Sequence, residues 1–377
     1  MIPTALETSL FDQELATEGL EPYFLDHLKT KISRENAVIV AHYTASMRIE
    51  TNLSDNHRRD VITSLKLLSA FLVNKPFIKM TREDILLYLD TIRKPAVSDR
   101  LHRWVSTYNH RLITFLRFFK WLYHRDMKPS KREKPLVVGN IPTLKRTEKS
   151  SYRRFDLWTD EDHIVFLRYS VNKRDRCYHA MAVDTSCRPK EILALRIKDV
   201  VFKTAGDHQY AEVIVNGKTG NRVIPLYNSI PFLKDWIEDD PQGRNPSAIL
   251  FCGLGNRIGR QLSRYAIYEI YEHYRKKFFP SLLEDPNVPR QDKEQFLKLI
   301  KKPFNPYILR HSALTQKAKV LKEHVLRQHA GWAINSKMPQ IYIHWFGNES
   351  SDTLLELYGV KKYDEPLDKG MSQLQRV

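Results

Sequence analysis

Arg188 and Arg310 each stand at the opening of a stretch patterned as a helix, where a guanidinium fork can hold an oxyanion. Lys218 sits in the turn 216–221 between two strand-like runs, where a mobile ammonium can hand over a proton. Tyr342 follows Trp332 by ten residues. A phenol, with a reference pKa of about 10, is a feeble nucleophile until nearby cations stabilise its oxyanion. Together these types suit displacement at a phosphodiester. Guanidinium forks can bear extra charge on nonbridging oxygens, a phenol can attack, and an ammonium can protonate a leaving oxygen. Taken singly, each has a plainer reading: Arg188 pairs with Glu191 at a helix start, and Lys218 is a solvated turn residue.

The elements that must position these residues occupy the stretch from about 156 to 360, which is mixed in pattern. Ala211–Val215 and Arg222–Leu226 read as a β-hairpin around a glycine-bearing turn. Thr159, followed by acids, marks a capped helix start. A helical stripe runs through Ile267, Ile270, Tyr271 and Tyr274, and the segment from Pro280 to Gln291 is broken by proline and reads as a loop or insertion.

Upstream, 36–127 is helical throughout. One stripe passes through Val61, Leu65, Leu68 and Leu72, and another through Val105, Tyr108, Leu112, Phe115, Phe119 and Leu122; both read as core packing. Thr81, ahead of Glu83 and Asp84, is a second capped start. Between the stripes, Arg100, Arg103, Arg111, Arg117 and Lys120 form a basic face suited to phosphates, as do Arg260 and Arg264 farther on. The stretch 128–157, rich in proline and positive charge, reads as a linker, and 1–35 as an acidic extension.

A net charge of +17 and a pI near 9.6 point to a polyanionic partner. The charge is concentrated: Arg117 to Arg154 carries twelve Lys/Arg against three Asp/Glu. That stretch has no apolar face for a membrane, and no run is long enough for a span, so nucleic acid is the expected partner and a membrane is not. Three scattered cysteines fit a reducing cytosol and neither a disulfide framework nor a zinc site. No Walker motif or carboxylate cluster is visible, so neither a metal nor a cofactor is expected.

In this order, the boxes around Arg188, Lys218, Arg310, Trp332 and Tyr342 resemble the catalytic domain of the tyrosine recombinase (phage integrase) family over roughly 158–345. The helical region before it fits that family's core-binding domain, and the residues after Tyr342 look closest to its archaeal branch. The resemblance implies a mainly α protein with a small antiparallel β-sheet (α+β), the DNA-breaking–rejoining enzyme fold. It implies an extension (1–35), a core-binding domain (36–127), a linker (128–157), a catalytic domain (158–348) and a tail (349–377), closing as a two-domain clamp on DNA. It further implies a cytoplasmic, nucleoid-associated recombinase that joins strands through a 3′-phosphotyrosine, as a homotetramer on two attachment sites in double-stranded DNA, in the service of a mobile element. Arg188, Lys218, Tyr307, Arg310, Trp332 and Tyr342 take the family's catalytic positions.

One departure stands out: Tyr307 occupies a position where the family commonly has histidine. A phenol there can donate a hydrogen bond but shuttles protons poorly near neutral pH. Its place one helical turn before Arg310 favours a supporting role over that of a rival nucleophile, and Tyr358 reads as packing. The apolar spacing of Leu354, Leu355 and Tyr358 suggests a tail that docks on a neighbouring protomer. Alternatives are a type IB topoisomerase-like or resolvase enzyme with the same chemistry, and an inactive DNA-binding protein of the same fold. A metal-dependent nuclease would need acidic clusters that this sequence lacks.

Overall fold

The computed structural model describes residues 32–146, 154–217 and 219–343, together with 28, 152 and 358–359. Lys218, most of the N-terminal extension, and the tail beyond 343 apart from Tyr358 and Gly359 lie outside the described residues, as does the tail-docking expectation. The chain divides into two compact units, Met1–Ser151 and Tyr152–Val377.

The first unit holds helices α1 (Arg34–Thr51), α2 (Asp55–Phe71), α3 (Arg82–Asp90) and α4 (Trp104–Tyr123). Ser33 caps α1 by accepting from the Asn36 N–H, and Thr81 and Asp84 form a reciprocal capping box on α3. Aromatic edges interlock in the core: Phe77 and Tyr43 meet Phe118 at 4.8 and 5.3 Å between ring centroids. The fully buried Asn36 is satisfied there, donating to Ser69 Oγ and Lys75 O and accepting from Phe77 N–H.

The expected linker does not run free at its start. Val137, Val138 and Ile141 are buried in this core, Arg82 Nε donates to Gly139 O at 2.8 Å, and Asn109 exchanges two 2.8 Å hydrogen bonds with Leu144. Burying such an aliphatic side chain is worth roughly 1.5–3 kcal/mol, enough to hold a proline-broken segment against the bundle.

The second unit combines helices with a three-stranded sheet. In order they are α5 (Asp160–Tyr169), α6 (Lys173–Thr185), α7 (Pro189–Leu193), β1 (Val200–Ala205), β2 (His208–Gly217), β3 (Gly220–Leu226) and α8 (Ile230–Asp239). There follow α9 (Arg264–His273), a π-turn, α10 (Phe279–Leu282), α11 (Arg290–Leu299), α12 (Pro306–Val320), α13 (Glu323–Ala330) and α14 (Met338–Ile343). The strands pair antiparallel in the order β1-β2-β3, with Val213 opposite Ile224 and Gly217 opposite Gly220. The expected hairpin is β2–β3. The sequence pattern did not announce β1, because all but its first residue are exposed and no apolar alternation marks it. Pro280 to Gln291 is not all loop: α10 ends within it, and α11 begins within it.

Ala211, Val213, Val215, Ile224 and Leu226 point into the core. A buried chain ties α5, α6 and α9 together: His163 Nδ1 lies 3.0 Å from His179 Nε2, and His179 Nδ1 lies 3.0 Å from Tyr271 Oη. Among the described residues no helix is long and apolar enough to cross a membrane, and no cluster of His, Cys, Asp or Glu could hold a metal ion. Cys177, Cys187 and Cys252 are buried free thiols.

Candidate active site

Arg188 is placed by the join between α6 and α7. The chain leaves α6 through Ser186 in the left-handed region (φ 51°), and Arg188 is extended ahead of Pro189, whose fixed φ suits the first turn of α7. Glu191 accepts from the Arg188 backbone at 3.0 Å and from its Nη1 at 2.7 Å. Arg222 on β3 completes the group, donating from Nη2 to Glu191 at 2.8 Å and from Nε to His329 O at 3.1 Å. The helix-start ion pair between Arg188 and Glu191 therefore exists and holds the arginine in place. Burial opposes ionisation of Glu191, but Arg222 and Arg188 outweigh it and keep its pKa below the usual carboxylate value.

Arg310 comes from α12, whose start is fixed by Asn305 accepting from the N–H groups of Tyr307 and Ile308, with Pro306 in the first turn. Its guanidinium is buried, with Nη1 donating to Ser186 O at 2.7 Å and Nη2 to Ala330 O at 3.0 Å. These carbonyls end α6 and α13, where the helix dipole is negative. Burial, and next the charge of Arg188, lower the pKa of Arg310. Arg188 and Arg222 thus share the Glu191 carboxylate, Arg310 adds a third guanidinium bound only to carbonyls among the described residues, and the surplus positive charge suits a bound anion.

Tyr342 lies on α14, buried between two flat partners. Trp332 stacks on it at 5.3 Å and His311 at 5.7 Å, and its hydroxyl is 3.0 Å from His311 Nδ1. Arg310 lies over the Trp332 ring at 5.9 Å. Burial raises the Tyr342 pKa, while the charges of Arg310 and then Arg188 pull it down. His311 also touches Tyr152 at 4.9 Å. Burial, and then Arg310, push His311 down to about 4, so its imidazole is neutral at physiological pH.

The hairpin that carries Lys218 reaches this site through its neighbours: Thr219 Oγ1 donates to Gly331 O at 3.2 Å, and Arg222 crosses beneath. The structure therefore brings together Arg188, Arg310, Trp332 and Tyr342. Tyr307 is half-buried and lies near Tyr178 and Tyr268, whose pKa values are raised by burial first and by Tyr307 to a lesser extent.

The sequence reading missed His311 and Arg222 as members of the site. Their signals were weak: His311 adjoins Arg310, and Arg222 sits four residues past Lys218.

Of the candidate DNA contacts, Arg100, Arg103, Arg117, Arg260 and Arg264 are exposed. Lys120 and Arg111 are half-buried, and Arg111 is turned to Ser64 Oγ between α4 and α2.

The model described as the phage integrase family matches residues 159–349. None of the curated proteins matches the chain. Among solved structures, a XerH site-specific recombinase bound to a palindromic difH substrate is similar at 15% identity and a TM-score of 0.55, over 93% of this chain and 94% of that one. A lambda integrase dimer bound to a COC′ core site is similar at 14% identity and 0.53, over 97% and 89%. The Tn1549 transposon integrase in complex with transposon right end DNA is similar at 13% identity and 0.54, over 90% and 98%. At these identities the likeness is one of fold.

Proposed function

This chain belongs to the phage integrase family of DNA strand-breaking and rejoining enzymes, and from that premise we propose that it works through Tyr342 on specific duplex sites. The observation that carries the assignment is the stacking of Tyr342 on Trp332, the ring over which the Arg310 guanidinium lies. A scissile phosphate bound by the two guanidiniums would have its nonbridging oxygens neutralised as charge builds on them. Tyr342 attacks the phosphorus, and the 5′ oxygen leaves with a proton from Lys218. The product is a 3′-phosphotyrosine. A 5′-hydroxyl from a partner strand reverses the step, and the energy of the broken bond is kept in the adduct. Trp332 packs against both Arg310 and Tyr342 and keeps cation and nucleophile in register.

The finer reading is a recombinase that brings two attachment sites together in a tetramer and moves a genetic element into or out of host DNA. The solved relatives' DNA complexes and the basic surface support it. Tyr307 supports the start of α12, and Arg100, Arg103, Arg117, Arg260 and Arg264 contact phosphates.

A pool of nicked, randomised duplexes tests this. The full chain should form denaturant-resistant adducts whose DNA maps to the Tyr342 peptide, and sequencing the captured pool gives the site. Tyr342→Phe should still shift the duplex on a gel and yield no adduct. An adduct that persists in Tyr342→Phe overturns the assignment. Relaxation of supercoils by monomers, with no joining of two sites, would replace the recombinase by a topoisomerase.

A further inference from the structure

The nucleophile has to lose a proton, and the residue three before Arg310 is a phenol, Tyr307, grouped with Tyr178 and Tyr268. Among the described residues, the imidazole set against the attacking oxygen is that of His311, with Nδ1 3.0 Å from Tyr342 Oη and the rings nearly parallel at 21°. We infer that His311 is the base of the cleavage step, taking the Tyr342 proton on Nδ1 and returning it when strand joining expels the tyrosine. This rests on Tyr342 being the nucleophile. In cleavage the Oη–H bond breaks to Nδ1 and the Oη–P bond forms. The P–O5′ bond breaks with its electron pair on the 5′ oxygen, which is protonated separately by Lys218. Joining runs the same transfers backwards.

The surroundings fit that role. Among the described residues, Arg310 from the same helix, Tyr342 from α14 and Tyr152 from the segment before α5 are the titratable groups that face the ring. Burial and Arg310 keep the imidazole neutral in the free protein, so the proton acceptor is present at neutral pH. A bound phosphodiester sets a negative charge beside Arg310 and offsets its repulsion of an imidazolium. The phenol also becomes acidic as its oxygen bonds to phosphorus. Proton transfer therefore accompanies bond formation and does not precede it.

The test uses the full chain and a nicked duplex from the captured pool, made with either an ordinary 5′ oxygen or a bridging 5′ sulfur. A thiolate leaves without a proton, so the sulfur substrate bypasses any leaving-group acid. His311→Ala should slow cleavage by roughly 10²–10⁴-fold on both substrates, with gel shift and melting temperature retained. His311→Asn can accept the same hydrogen bond but cannot hold the proton, and it should be as slow. Wild-type cleavage should fall off on acidification, and His311→Asn should lose that limb. Lys218→Ala should recover on sulfur. Near wild-type cleavage by His311→Asn reduces His311 to a packing role, and recovery of His311→Ala on sulfur moves its proton to the leaving group; either overturns the inference. If the wild type forms no Tyr342 adduct, the nucleophile assignment fails with it, whereas an active wild type beside an active His311→Asn sinks only the base.

Discussion

At Arg310, charge and direction are set by different atoms. Two N–H groups are committed to Ser186 O and Ala330 O, which aims the planar fork, while among the described residues no carboxylate pairs with it. Arg310→Lys keeps the charge, but one ammonium on a flexible stem cannot bridge two helix ends. Expected is a loss of about 10²–10³-fold in single-turnover adduct formation. One buried carbonyl left unpaired should also lower stability by about 1–3 kcal/mol in urea titration. Wild-type values in both assays would show that the bridging is incidental. The types and order of Arg188, Arg310 and Tyr342 were legible in the sequence, because the chemistry admits few substitutes. His311 was not. Neighbouring positions on a helix point about 100° apart, given ~3.6 residues per turn, so adjacency to Arg310 says little about sharing its site. Its contact depends on where α14 docks, which is a tertiary fact.

Among elements, the β2–β3 hairpin and the end of α13 are locked to one another at Gly331. That residue has φ 64°, and a Cβ there would come within 2.6 Å of Arg222 Nη1. Gly331→Ala therefore combines left-handed strain, about 1–2 kcal/mol for an L-residue, with displacement of the guanidinium. We expect a stability loss of at least that size, read by denaturant titration, together with slowed cleavage. A neutral variant would mean that the hairpin yields freely. Arg222→Ala frees one side of Glu191 and cuts the tie to His329 O. It should reduce cleavage about 10–100-fold, within the roughly 0.5–3 kcal/mol found for coupled neighbours, and leave DNA affinity unchanged. Affinity falling in step with cleavage would instead make Arg222 a DNA contact. The hairpin was legible through its glycine turn and alternating apolar residues. β1 was not, since a strand with one buried residue has no period to read. Nor was the packing of Val137, Val138 and Ile141, because prolines and lysines mask a short apolar run.

For the whole molecule, the two units differ in how acid acts on them. His163, His179, His311 and His329 all lie in the second unit. Burial is the leading cause that holds each below 6.5: His163 and His311 at about 4, His329 at about 3, and His179 well below 6.5. Their folded forms stay neutral where the unfolded chain takes up protons. The stability they contribute is therefore complete above about pH 6.5 and is lost as pH falls toward the folded values. Each group contributes a slope of at most about 1.4 kcal/mol per pH unit, so four together reach at most about 5.6 kcal/mol per pH unit, against a typical domain stability of about 5–15 kcal/mol. Among the described residues of the first unit, burial shifts the half-buried His57 downward. Acidification also adds to a net charge already at +17, which strains both units alike. Hydrogen exchange read by peptide separates these effects. Between pH 7 and pH 5, after correction for intrinsic rates, peptides from α5, α6 and α12 should lose protection, while those from α1, α2 and α4 keep theirs. Equal loss in both sets would assign acid sensitivity to overall charge and remove the buried histidines as its cause. Tyr271→Phe deletes the hydroxyl that His179 meets at 3.0 Å, so it should weaken the second unit at pH 7 and leave the steepness of its acid response almost unchanged.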